Sequence, residues 1–266
     1  MNILKAQIGY NVHGAYCIPD SEVIGHGSCT MKGGVHEPQT LRFISEHCGD
    51  GDIVSAGAFF GDFFPFLSKC VKGTIWSCEP VMESFRAAQI TLLLNDIHNV
   101  NLRHCGVGST TSEGVMQITG AGKEHVEGGM NGCLGGACRI IPEEIAGQET
   151  EKIVISKLDH MIPEDRKITV MQLDVEYHEE EALQGAMRII EANKPPLILE
   201  TVQVTAPGVH NVTNRVVESE FYQDVIFKQM GYQIAPFVGD LGETGRIHAN
   251  IVLEHKDNPC HFKYEL

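Results

Sequence analysis

The 266-residue chain has no run of lysine or arginine, and its 20 basic residues face 35 acidic ones, a net charge of −15. Proteins that grip nucleic acid through its phosphates ordinarily carry a basic stripe, and an anionic membrane surface asks for the same. Neither partner is therefore expected. No apolar stretch approaches the roughly 20 residues that a membrane span needs. The opening MNILKAQIGYNVHGAYCIPD lacks a long apolar core followed by a cleavage-like site. There is no C-x-x-C pair. The nine cysteines are scattered, and Cys133 with Cys138 form a lone C-x4-C, without the second pair a zinc site requires. Packed, reduced thiols in a cytoplasmic protein are the expectation. Internal repeats and low-complexity tracts are missing too.

What is present is an alternation of short β-rich runs and helical segments. PQTLRFISEHC reads as a helix with Pro38 in its first turn. DIVSAGA is a strand, FFPFLSKCV a helix with Pro65 early in it, GTIWSCEP a strand, VMESFRAAQITLLLND a helix and NVNLRHCGVG a third strand. ITVMQLDVE, HEEEALQGAMRIIEANK, PPLILETV and ESEFYQDVIFKQMGY continue as strand, helix, strand, helix; YQIAPFV and HANIVLEH close the chain as two adjacent strands. Strands that are apolar almost throughout are those of a sheet covered on both faces. The expected fold is α/β: a doubly wound, seven-stranded, mostly parallel sheet with an antiparallel edge hairpin. One domain is expected over residues 1–266. Residues 1–48 form a lead-in, and 109–157 an insertion that includes EGVMQIT, a Gly-rich loop at 128–138 with the character of a lid, and the strand EKIVIS.

Ligands of such sheets sit beyond the carboxyl ends of the strands. The first strand ends in Gly57-Ala58-Phe59-Phe60-Gly61-Asp62, where small residues let a ligand approach the backbone. The second ends in Cys78-Glu79-Pro80, which places an acid where it can accept hydrogen bonds from both hydroxyls of a ribose. A solvated helix cap is the alternative role for Glu79. A G-x-G-x-x-G fingerprint laid on Gly61 finds Ala56 and Ala58 at its other glycines, and no G-K-[ST] follows. A dinucleotide and a triphosphate both fit badly. A nucleoside with an amino-acid end fits better, which describes S-adenosylmethionine.

In order and spacing, residues 35 to 202 resemble the FkbM-type methyltransferases, a class I S-adenosylmethionine-dependent family with a Rossmann-like fold. The matching pieces are His36-Glu37-Pro38, Ser55 to Gly61, Glu79-Pro80, Leu92 to Asn95, Cys105-Gly106-Val107-Gly108, Leu158-Asp159, Gln172 to Tyr177 and Leu199-Glu200. Against the family pattern, Ser55 stands for an acid, Gln172 for a lysine, Tyr177-His178 for Gly-Ala and His36 for an aromatic. The resemblance implies cofactor contacts at Glu37, Ser55, Gly57, Ala58, Gly61, Asp62, Glu79, Pro80, Cys105 and Gly106. It also implies O-methylation of a hydroxyl on a small metabolite, sugar or polyketide-like product.

A hydroxyl acceptor needs a base or a metal to sharpen it. Asp174, Glu176 and His178, at i, i+2 and i+4, share one face if the fourth strand runs that far. One of them is then the catalytic base. A divalent metal held by all three is the alternative, as is a plain helix start. The expected partner is a small-molecule acceptor, with a homodimer compatible with the sequence. A nucleotide-dependent oxidoreductase and a non-catalytic S-adenosylmethionine-binding protein are the competing functions.

Overall fold

The computed structural model describes residues 3–25, 27–118, 138–141, 143–144, 149–203, 219–235 and 248–260. The chain opens with a hairpin of β1 (Ala6–Asn11) and β2 (Gly14–Pro19), then a short α1 (Ser28–Met31) and α2 (Pro38–His47). There follow β3 (Asp52–Ala56), α3 (Phe64–Cys70), β4 (Ile75–Cys78), α4 (Met82–Leu94), β5 (Val100–Arg103) and β6 (Gly106–Val107). Next come β7 (Ser112–Gln117), β8 (Arg139–Ile141), β9 (Thr150–Ser156), α5 (Leu158–Met161), β10 (Ile168–Leu173), α6 (Glu179–Gln184) and α7 (Met187–Asn193). The last elements are β11 (Leu197–Gln203), a π-helix at Phe221–Gln229, β12 (Tyr232–Ile234) and β13 (His248–His255).

Seven strands form the central sheet, in the order β12-β13-β11-β10-β3-β4-β5. The β11/β10, β10/β3, β3/β4 and β4/β5 pairs are parallel. β13 runs antiparallel to both β11 and β12. Successive strand residues point to opposite faces. Ile53, Ile75, Val170, Ile198 and Val252 accordingly pack with Leu41 and Ile44 of α2, Phe64 and Leu67 of α3 and Ala88 of α4. Their neighbours Val54, Trp76, Met171, Leu197 and Leu253 pack instead with Met161, Leu183, Ile189 and Ile226, from α5, α6, α7 and the π-helix. Both faces are thus covered, which explains the uniformly apolar strands.

Several boundaries differ from the sequence expectation for identifiable reasons. The third strand is two: Val100–Arg103 joins the central sheet, and Gly106–Val107 leaves it for a second sheet ordered β6-β9-β7-β8. The long helix after β10 breaks at Gly185, where a Cβ would overlap the Gly108 carbonyl oxygen and where the residue's own carbonyl accepts from the Asp159 amide at 2.9 Å. Asp159 in turn starts α7, its carboxylate accepting the Arg188 and Ile189 amides at 3.0 and 3.2 Å. The N-terminal hairpin is held by Asn95, which accepts the Ala15 amide at 3.0 Å and donates to its carbonyl at 2.6 Å. The Gly-rich segment at 128–138 lies outside the described residues except for Cys138. Among the described residues no helix is long and apolar enough to cross a membrane.

Beneath β3, the buried Asp52 accepts a two-pronged pair from Arg166 at 2.6 and 2.7 Å, the Trp76 indole at 2.8 Å and the Thr74 amide at 2.8 Å. Burial works to raise its pKa, and these donors overcome it and hold the carboxyl below its ordinary 3.8. The stabilisation is therefore in place at neutral pH and lost as pH falls below about 4. Asp52→Asn should cost about 2 kcal/mol, moderated by the 38% exposure of the Arg166 side chain. Urea denaturation at pH 7 reads the loss, and the difference from wild type should shrink at pH 3.

Candidate active site

The site is built where β10, β3 and β4 end side by side. After Ala56 the chain turns through Gly57 at φ 87°, and the amides of Gly57 and Ala58 both donate to the Cys78 carbonyl, at 3.1 and 2.9 Å. A Cβ at Gly57 would overlap the Asp174 carbonyl oxygen. The glycine thus admits the neighbouring strand tip. Gly61, at φ 80°, closes the turn onto Ala58 and faces the Phe64 ring as α3 begins. Between them Phe59 sits at φ 49° and its amide donates to Glu79 Oε2 at 2.8 Å.

Glu79 is buried, and its Oε1 accepts the Val81 amide at 2.8 Å as α4 starts. The N-cap of α4 is Val81 itself, so Glu79 is not the helix cap: it is buried and fixes the approach to the helix. Two amides, one per oxygen, hold the carboxylate and leave each oxygen a further lone pair. Burial pushes its pKa up to about 8 against the pull of those amides. Pro80 accepts His104 Nε2 at 2.9 Å through its carbonyl. Cys105 is packed against Cys78 and donates to Met161 Sδ at 3.9 Å; Gly106 lies under Ile153 and Ile140.

On the other side, Asp174, Glu176 and Glu200 bring one carboxylate oxygen each within 4.8 Å of one another. Burial raises all three pKa values. For Asp174 the charge of Glu200 adds to it, and Glu176, with Asp174 and Glu179 beside it, is pushed up to about 9. This set corrects the expected one. β10 stops at Leu173, and the next turn places Glu176 at φ 52° and Tyr177 at φ 71°. Two consecutive left-handed residues break the alternation. They fold Glu176 back to the acids and leave Tyr177 57% exposed. His178 moves away: its Nδ1 lies 3.6 Å from Glu181 Oε2 at the start of α6, and burial lowers its pKa. The cation set of Asp174, Glu176 and His178 does not form. Glu200, visible in the sequence only as the end of Leu199-Glu200, takes the third place.

Two further acids border this group: the charge of Asp62 acts on Glu79 and that of Glu37 on Asp174. Asp62 lies 3.3 Å from His36 Nδ1. Glu37, at φ 45° before α2, turns its carboxylate to Asn250, which donates at 2.7 Å from the position opposite Glu200 in the β11/β13 register. Ser55, also an expected contact, points elsewhere: its hydroxyl donates to Gln172 Oε1 at 2.7 Å, both residues buried and directly paired between β3 and β10.

Residues 55–234 match the sequence model of the methyltransferase FkbM domain. The chain belongs to this family. No curated protein matches it. Solved structures share its fold. Trm5b from Pyrococcus abyssi is 9% identical with a TM-score of 0.50, over 95% of this chain and 56% of that one. The methyltransferase FkbM from Methylobacillus flagellatus KT is 18% identical with a TM-score of 0.47, over 77% of this chain; this chain spans 44% of that protein. A putative rRNA methylase from Clostridium thermocellum is 12% identical with a TM-score of 0.44, over 81% and 93%.

The expected partners are corrected. The exclusion of nucleic acid in favour of a small-molecule acceptor does not stand; chains named rRNA methylases are among the distant neighbours, whose likeness is one of fold alone. The physical reason is that net charge sums the whole surface and does not report the local face that meets an acceptor.

In family terms, Ser55 and Gln172 replace an acid and a lysine that would face each other across β3 and β10. Here the two departures bond to each other, so a neutral pair stands for a charged one. Ser55→Asp alone buries a charge opposite an amide and should be strongly destabilising. Adding Gln172→Lys should recover at least ~1 kcal/mol of the loss, read as the coupling in a double-mutant cycle by urea denaturation. Strict additivity would contradict the pairing.

Proposed function

We propose that the chain is an S-adenosylmethionine-dependent methyltransferase that methylates a hydroxyl oxygen. The observation that carries this is Glu79. It is a buried carboxyl group at the tip of β4, held by the Phe59 and Val81 amides beside the 57–61 loop. Its pKa is pushed up to about 8 by burial, and two further hydroxyl donors would lower it again and hold it ionised, with a lone pair for each. A pair of vicinal sugar hydroxyls has that complementary demand. S-adenosylmethionine, when bound, supplies an electrophilic methyl group.

The chain's own residues then have distinct tasks. Glu79 holds the sugar. In the Asp174–Glu200 pair burial raises both pKa values; Glu200 pushes Asp174 up further, whereas the hydrogen bond to Asp174 opposes the rise at Glu200, so the shared proton rests on Asp174. Once ionised, the pair accepts the proton of the acceptor hydroxyl at a carboxylate oxygen as the oxygen–methyl bond forms. Glu176, pushed up to about 9, keeps its proton at neutral pH and donates a hydrogen bond that orients the acceptor. Its neighbour His178 is given no proton-transfer role, being engaged with Glu181.

Isothermal titration should show S-adenosylhomocysteine binding to the wild type, weakened at least ~tenfold by Glu79→Ala. No heat with the wild type would sink the reading. With an acceptor in hand, the turnover of the wild type should rise with pH as the acid pair ionises. Asp174→Asn should lose that limb and about 100-fold in kcat.

A further inference from the structure

The tips of β10, β3 and β4 gather Glu37, Asp62, Glu79, Asp174, Glu176 and Glu200. A ligand with an amino-acid end brings its own carboxylate into this company. Its ammonium meets acids readily, but the carboxylate needs a positive group.

His36 stands at that place. Its Nδ1 lies 3.3 Å from Asp62 Oδ2, and Asp62 directly follows the last glycine of the 57–61 loop. The side chain is 27% exposed, so a ligand can reach it. The ten-residue helix α2 begins two positions on, with its N-terminal amides adding positive potential. Glu37, the adjacent acid, does not compete for the same ligand, since its carboxylate is turned onto Asn250. Strands of one sheet lie about 4.8 Å apart, so the tips of β10 and β4 are about 10 Å apart, with the β3 loop between them. The charge of Asp62 acts on both Glu79 and His36, so the three border one region; a donor whose sugar sits at Glu79 has its other end within reach of Asp62 and His36.

We infer that His36 is the cationic residue that receives the carboxylate of the methyl donor's methionine end, with Asp62 positioning its ring. This rests on the donor-binding reading above. The charges that act on the imidazole are consistent with it. Burial alone would lower its pKa, but the hydrogen bond to Asp62 and the charges of Glu37, Asp62 and Asp174 overcome that and raise it to about 9. The ring is then protonated at neutral pH.

The test compares S-adenosylhomocysteine with 5′-methylthioadenosine, which has the same nucleoside and thioether but no amino-acid end, by isothermal titration on the full chain at pH 7.5. His36→Gln should weaken S-adenosylhomocysteine at least ~tenfold and leave methylthioadenosine within about twofold, as expected for loss of one charge-assisted hydrogen bond. His36→Arg, which restores a cation, should bring S-adenosylhomocysteine back to within about threefold of wild type. Equal weakening of both ligands by His36→Gln, no weakening of either, or no recovery with His36→Arg overturns the assignment while leaving donor binding intact. A wild type that binds neither ligand overturns the donor reading itself, and this inference with it.

Discussion

Residue 57 has room for a hydrogen and nothing larger. The Asp174 carbonyl oxygen occupies the position a Cβ would take, and the Asp174 amide donates to the Ala56 carbonyl at 3.1 Å. That contact locks the tip of β10 over the start of the β3 loop. The loop can then lay its Gly57 and Ala58 amides on Cys78 and its Phe59 amide on Glu79. The turn after Leu173 is launched from the same point, and it returns Glu176 to Asp174. Without the close approach at Gly57, neither the carboxylate of Glu79 nor the acid group on β10 and β11 has a fixed orientation.

Much of the fold was legible, because apolar strands at regular spacing admit few other arrangements. DIVSA, IWSC, ITVMQL and LILETVQ are strands, and Glu79 and Asp174, directly after the second and third, mark the edge of the site together with Glu200 inside the fourth. Less legible was which acids meet. Left-handed backbone at Glu176 and Tyr177 carries no sequence signal, as neither is Gly or Asn, so strict alternation wrongly aligned His178 with Asp174. Glycines told where the chain turns but not all of why: that the Asp174 carbonyl needs the room at Gly57 has no signal in the sequence. The N-terminal hairpin went unread, although Asn95, which ties it down, sits within a motif already noted at 92–95.

The paired departures at Ser55 and Gln172 bear on whether the site is degraded. Random decay would leave an unmatched polar group in the core, which costs of order 1–3 kcal/mol. Here the serine hydroxyl and the glutamine carbonyl satisfy each other at 2.7 Å, and the Ser77 hydroxyl donates to the Ser55 carbonyl. The core beneath the site is intact with different chemistry.

The central claim is that one carboxylate, held by two backbone amides at the tip of β4, receives the sugar of a methyl donor. A crystal structure of the protein grown with S-adenosylhomocysteine tests it most directly. Both ribose hydroxyls should lie within hydrogen-bond distance of Glu79, with the thioether facing Asp174 and Glu200. An ordered ligand whose sugar lies away from Glu79 would contradict the account.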